Sequence, residues 1–312
     1  MASLFFSRRF YGFLAVFILL AAGLGAQNRV YPAFTETGNS RGATIRGFLD
    51  WEKGTISASV ELSLANTGIR LPTGRMRAEE ILEDEFWRLL RPYILSMQVD
   101  SSSTIYDLIM RGELSLSEFD RLEYYIEKIP PRFSSSLNSL SSDYTIAIEK
   151  IAAHLPLGPG VRVPPRPFVV TPTANYTGIV IIADTPLPIH GRHTSSLLMP
   201  SLHPRIWDSE MNLIFERGML EDAKSTAPAV FAPRDSIFRP TASGLESRIA
   251  EVVGNNPLRI IAGGVYGINP TDPVINRDDA LLILSSENNR QLLREGRIAI
   301  IVNNSVLNMP FY

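Results

Sequence analysis

Cysteine is missing from all 312 residues. That excludes disulfide staples, thiolate metal sites, a cysteine nucleophile and the lipid-bearing cysteine of a lipoprotein. Histidine is scarce, with four residues, so imidazole chemistry has few carriers. Neither sign of charge dominates: Lys plus Arg is 30, Asp plus Glu is 32, and the net charge is −2. This argues against a nucleic-acid binder held by bulk electrostatics. Beyond residue 24 no apolar run approaches the ~20 residues of a membrane-spanning helix.

What is present is the composition of a folded protein. Hydrophobic residues make up 45% and charged residues 20%, enough for one large or two ordinary domains with their own cores. The N-terminus carries an address. Arg8 and Arg9 precede the uncharged apolar run Phe10 to Leu24, and small residues lead to Ala26 before Gln27 and Asn28 turn polar. This is the three-part pattern of a secretory signal peptide over residues 1–26, with cleavage expected after Ala26. A segment retained as a membrane anchor is the alternative, and it is the one route by which the chain would touch a membrane. The lack of cysteine suits an oxidising compartment. The expected location is therefore the periplasm or cell envelope.

Residues 27–53 have little periodicity and read as a leader. The first domain is expected over 54–154. It opens with a strand in which Ile56, Ala58, Val60, Leu62 and Leu64 alternate with polar residues. A helix follows from about Arg75, with apolar residues at spacings of three and four and a kink or split at Pro92. Thr104 is a candidate cap of a short helix, and Ser115-Leu116-Ser117-Glu118 fits a capping box for another running to about Ile129. The stretch from Asp143 to Ala153 suits either a strand or a helix and leans to strand. Residues 155–173 hold six prolines and read as a semi-rigid linker.

The second domain is expected over 174–312. It has strands at 178–183, 258–266 and 297–303 and a hairpin across Asp208 to Asn212. Helices are expected after the candidate cap Ser243 and over Asn276 to Ser285, where Asp278 and Asp279 in the first turn suit the helix dipole. Strands and helices alternate without a regular rhythm, so the fold class is α+β, two mixed domains joined by a proline-rich linker.

No motif carries catalysis outright. His190 and His193 lie close together in a loop, with His203 ten residues on. With Asp184 or Asp208 they form a candidate metal-ligand set, although Arg192 beside them repels a cation. No nucleophile elbow, P-loop or aromatic stacking platform is present. The acidic pairs Glu79-Glu80, Asp84-Glu85 and Asp278-Asp279 read as a solvated helix face and a helix start. Arg88 and Arg91, three to seven residues beyond Asp84 and Glu85, read as partners in local ion pairs. No catalytic, cofactor-binding or metal residue and no cofactor are assigned.

Several segments together carry a family resemblance. Arg75-x-x-Ala78-Glu79, the long helix, Val99-Asp100-Ser101 and Thr104-Ile105-x-Asp107 resemble a bacterial envelope group. That group comprises small outer-membrane lipoproteins and the N-terminal domain of flagellar outer-ring assembly proteins. Tyr176-Thr177-Gly178 with its strand and Asp184, the run Met199 to Asp208, and Asp278-Asp279-Ala280 resemble a pattern in exported proteins of spirochaetes and related Gram-negative bacteria. The sequence departs from these groups by lacking a lipobox cysteine and a glycine in the turn after Asp208. The resemblance implies a non-enzymatic envelope protein acting through contacts with envelope or flagellar partners. Two alternatives stand beside it. One is a periplasmic binder of a small ligand or glycan, using a pocket between the two halves near the linker. The other is a hydrolase or metalloenzyme built on the His190, His193 and His203 loop.

Overall fold

A computed structural model of the chain describes residues 42–158, 161–165, 175–237 and 248–311. The expected signal peptide, the linker between 166 and 173 and the candidate cap Ser243 lie outside the described residues.

The N-terminal sheet is built on three long antiparallel strands, β1 (Ala43–Asp50), β2 (Thr55–Ser63) and β3 (Ser139–Ala147). In β2 the residues Ile56, Ala58, Val60 and Leu62 are buried and their neighbours wetter, as a period of two demands. Helix α1 (Arg75–Leu95) packs across all three strands through Ala78, Ile81, Leu82, Phe86, Leu90 and Ile94. Phe86 stacks on Tyr144 with ring centres 4.3 Å apart. The split expected at Pro92 does not occur. The proline falls in the last turn, where the helix is about to end, and Ser96 N–H already closes on the Pro92 carbonyl.

Two capping boxes start the next helices, α2 (Ile105–Met110) from Thr104 and α3 (Leu116–Asp120) from Ser115. The second is shorter than its pattern suggested. A 3-10 turn over Arg121–Tyr125 follows, and the chain then extends so that Glu127–Lys128 pairs with β3. The ambiguous stretch from Asp143 onward is both things in turn, strand to Ala147 and then helix α4 (Ile148–His154).

Residues 27–53 are not all leader. Ala43 to Asp50 is β1, paired residue for residue with β2 from Ala43 opposite Leu62 to Asp50 opposite Thr55. Gly47 interrupts its alternation for a steric reason. A Cβ there would stand 2.3 Å from the Ser57 carbonyl oxygen and 2.5 Å from the Phe311 ring.

The second domain contains β4 (Ile179–Ala183), β5 (Ile206–Asp208), β6 (Leu213–Phe215), β7 (Val230–Pro233), α5 (Arg248–Val253) and β8 (Leu258–Ile261). It continues with β9 (Gly264–Tyr266), β10 (Asp272–Ile275), α6 (Arg277–Ser285), α7 (Glu287–Arg294) and β11 (Ile298–Val302). A parallel sheet runs in the order β7-β11-β4-β8. Its central strands are near-continuous Ile and Val because both faces are covered. Gly263 and Gly264 mark where the chain leaves this sheet for a second one, ordered β6-β5-β10-β9. The hairpin joining β5 to β6 turns without glycine. Met211 takes the left-handed conformation, φ 62, held by Asp208, whose carboxylate accepts from Asn212 N at 2.8 Å and Glu210 N at 3.0 Å.

The last strand, β12 (Asn308–Phe311), corrects the expectation of a second domain running to 312. It pairs antiparallel with β1, so residues 308–311 belong to the sheet of the first domain. Phe311 stacks on Tyr93 at 4.4 Å. The hydrophobic core is continuous between the domains, and Trp51 meets Phe231 edge-on at 5.6 Å. The fold is two-domain α+β, and the domains share a seam as well as a linker. Among the described residues no helix is long and apolar enough to cross a membrane.

Candidate functional site

The seam is organised by the turn after α1. Gln98 and Thr104 form a backbone bridge, and the residues between them reach into the second domain. Leu202 N donates to the Gln98 carbonyl at 3.0 Å, His203 N to Val99 at 2.7 Å and Asn269 N to Ser101 at 3.0 Å. Gly267, at φ 119, is required opposite this turn, because a Cβ would lie 2.2 Å from that of Ser101. Asp272 is wholly buried beneath it and accepts from Trp207 Nε1 at 3.1 Å and Arg205 N at 3.3 Å. Burial raises its carboxyl pKa above the ordinary value despite those donors.

Beside this turn the two domains leave a cleft of about 610 Å³, within the range of small-molecule sites. Val99, Asp100, Leu108, Arg111 and Glu113 form one wall, Pro156 to Gly158 the linker side, and His203, Arg205, Glu216 and Arg217 the opposite wall. The charges are mostly committed to one another. Arg111 pairs with Glu113 at 2.5 Å. Arg205 pairs with Asp100 at 3.0 Å and faces Glu216 at 3.8 Å. Burial works to raise the Asp100 pKa, but hydrogen bonds from Ser102 and Ser103 and the Arg205 charge outweigh it and hold the carboxyl below its usual range.

Arg217 differs from these. It is 5% exposed, and among the described residues no carboxylate pairs with it. Its Nε and Nη2 donate to the Ala223 carbonyl at 3.1 and 2.8 Å, and Nη1 reaches the Leu155 carbonyl at 3.4 Å and His203 Nε2. Desolvation lowers its pKa to about 10, which leaves it charged at neutral pH. His203 is held down to about 3, first by burial and then by the adjoining guanidinium, so it is neutral. Since a guanidinium only donates, Nε2 is the accepting nitrogen.

The candidate histidine set does not come together among the described residues. His203 lies at the seam, with Nε2 3.2 Å from the Ala152 carbonyl, while His190 and His193 are exposed in their own loop and His190 sits edge-on to Tyr266. Asp184 pairs with Arg234 at 3.0 Å and Asp208 is spent on the hairpin turn. Among the described residues no three metal-ligating side chains gather. Asp279 caps α6 with Asn276, as a helix start. On α1, Glu85 is buried and pairs with Arg88, while Arg91 crosses to Asp120 at 3.4 Å, so that face is only partly solvated. Glu216 and Arg217 carried no signal in the sequence. They follow an apolar strand in an unremarkable Phe-Glu-Arg-Gly run, and only tertiary burial distinguishes them.

No curated protein matches the chain. Two family models do, and neither description names lipoproteins or flagellar outer-ring proteins. Residues 43–154 match the N-terminal domain of Treponema pallidum Tp0624, and residues 178–304 match its second domain. In domain content and order the chain is thus similar to this spirochaete protein.

Proposed function

We propose that this is an exported envelope protein that binds a small polar ligand in the cleft between its two domains. The observation that carries the reading is the cleft itself, of about 610 Å³ and lined by charged side chains from both domains. Its walls are pre-formed, since the seam hydrogen bonds and the shared core hold the domains in register. That is the property a binding site needs to avoid an ordering cost. The envelope location rests on the signal-peptide pattern of residues 1–26. Fractionation of the native cells tests it: a processed chain starting near Gln27 belongs in the periplasmic fraction, and an unprocessed soluble chain in the cytosol contradicts it. For binding, native mass spectrometry of the protein purified from its own envelope is expected to show a bound mass of a few hundred daltons, lost in cleft-wall variants. A clean apo spectrum, with no binding to a small-molecule extract added back, contradicts it.

A second reading has an observation of its own. Leu116, Tyr124, Tyr125 and Ile129 are exposed along one stretch of the first domain, Tyr124 at 87%. Such residues favour contact with a protein partner of the envelope, whether associated with the flagellum or the outer membrane. In-cell crosslinking from position 124 is expected to capture one specific partner, and crosslinks spread without preference contradict it.

A further inference from the structure

Two side chains of opposite charge line the cleft with their hydrogen-bonding capacity incompletely used. Arg217 is a buried cation whose neighbours are carbonyl dipoles and one neutral imidazole. Of its five N–H groups, those partners account for four, and one Nη2 hydrogen has no acceptor among the described residues. Glu216, the preceding residue, has the converse deficit. Its carboxylate faces Arg205 Nε at 3.8 Å, beyond hydrogen-bond reach, and no donor among the described residues bonds to it. Arg205 is meanwhile engaged by Asp100 at 3.0 Å, so Glu216 is the surplus negative charge of that group. The remaining pair, Arg111 with Glu113, is closed on itself. The same wall thus holds a cation with no carboxylate on it among the described residues and a carboxylate that has no hydrogen-bond donor and only shares the Arg205 charge with Asp100.

We infer that the cleft takes a zwitterionic ligand of the amino-acid or short-peptide class, its carboxylate on Arg217 and its ammonium on Glu216. This rests on the small-ligand reading above. A ligand with only an anionic group satisfies Arg217 and leaves Glu216 as it is, and a neutral saccharide satisfies neither. A zwitterion supplies a partner to each and adds no net charge to a cleft whose three arginines already balance its three carboxylates. The buried guanidinium is the stronger anchor. It is already desolvated, so the carboxylate gains a charge-assisted hydrogen bond without the cost of stripping the cation. His203, neutral and accepting from Nη1, fixes the guanidinium plane. It is a positioning residue.

Calorimetric titration of the purified full chain tests the assignment with five probes: alanylalanine, its N-acetyl derivative, its C-terminal amide, inorganic phosphate and maltose. Alanylalanine is expected to bind, and blocking either terminus to weaken binding about tenfold or more, since each removes one charge-assisted contact. In Glu216→Gln, the variant least harmful to folding because its side chain is partly exposed, alanylalanine weakens to the level of its N-acetyl derivative, which itself is unchanged. Arg217→Lys weakens the peptide and the N-acetyl derivative together. Equal binding of the free and blocked peptides, or no alanylalanine binding at about 10 mM (a Kd weaker than that of the feeblest specific sites), overturns the ligand class. Maltose binding that competes with nothing zwitterionic overturns the class and keeps the small-ligand reading. Silence from all five probes, together with the apo spectrum described above, removes both.

Discussion

A guanidinium out of water needs either a counter-charge or a ring of acceptors, and Arg217 has only the second. Its positive charge sets the state of His203 beside it. The ring stays neutral in the folded chain down to about pH 3, while the unfolded chain takes up a proton near pH 6.5. The sign follows directly. Between these values the unfolded state binds more protons, so stability falls as pH falls through the window. Between pH 7 and pH 5 this group alone is expected to remove up to about 2 kcal/mol of unfolding free energy. Arg217, Asp100 and Arg205 are the charged groups that act on it. Asp272, with its raised pKa, acts in the opposite sense just above the ordinary carboxylate range. Denaturant titrations of the wild type and His203→Gln at both pH values check the claim: the variant is expected to lose most of the difference, and an unchanged difference contradicts it. None of this was visible in the chain itself. In the sequence His203 is one of four histidines, ten residues from His193, and nothing there separates it from the loop pair His190 and His193. Which carbonyls and cations a side chain meets is a property of the seam, and the seam joins residues more than fifty positions apart, as in the contact of His203 with Ala152.

At the scale of elements the sequence was more informative where local chemistry decides. The cap at Thr104 and the capping box at Ser115 use side chains a turn away, and both form, the first as a full capping box with Asp107. Asp107→Ala is expected to cost about 1 kcal/mol by opening the first box, measurable as a lower thermal midpoint without a change in fold. Strand β2 was legible because one of its faces is wet. Strand β1 was not, because Gly47 breaks its alternation to let Phe311 and the β2 backbone approach, a reason that lies in another strand. β12 was hidden for the same cause, as its pairing partner is at the opposite end of the chain. Phe311→Ala removes a buried ring stacked on Tyr93, and a loss of about 3 kcal/mol is expected. Gly47→Ala is expected to be at least as harmful although it adds a single methyl, because the backbone of β2 blocks it. If Gly47→Ala matches the wild type in thermal unfolding, the close approach of β2 and Phe311 to Gly47 is contradicted.

For the whole molecule, the proline-rich stretch suggested two bodies on a tether, and the structure joins them three further ways: a continuous core, the Gln98–Thr104 turn and the return of β12 to the first sheet. Calorimetry is therefore expected to give a single unfolding transition, whereas independent domains would give two. Gly267→Ala, aimed at the seam alone, is expected to lower that transition and to loosen the cleft with it. In the proposed function, a rigid seam is what would make the cleft a site and not a gap between mobile lobes. The most direct test of that claim is hydrogen exchange read by mass spectrometry, with and without saturating alanylalanine. Protection confined to peptides spanning residues 99–113 and 203–218, one from each domain, is the predicted result. Protection confined to residues 116–129, or no change in either cleft wall, would place the working surface elsewhere and contradict the account.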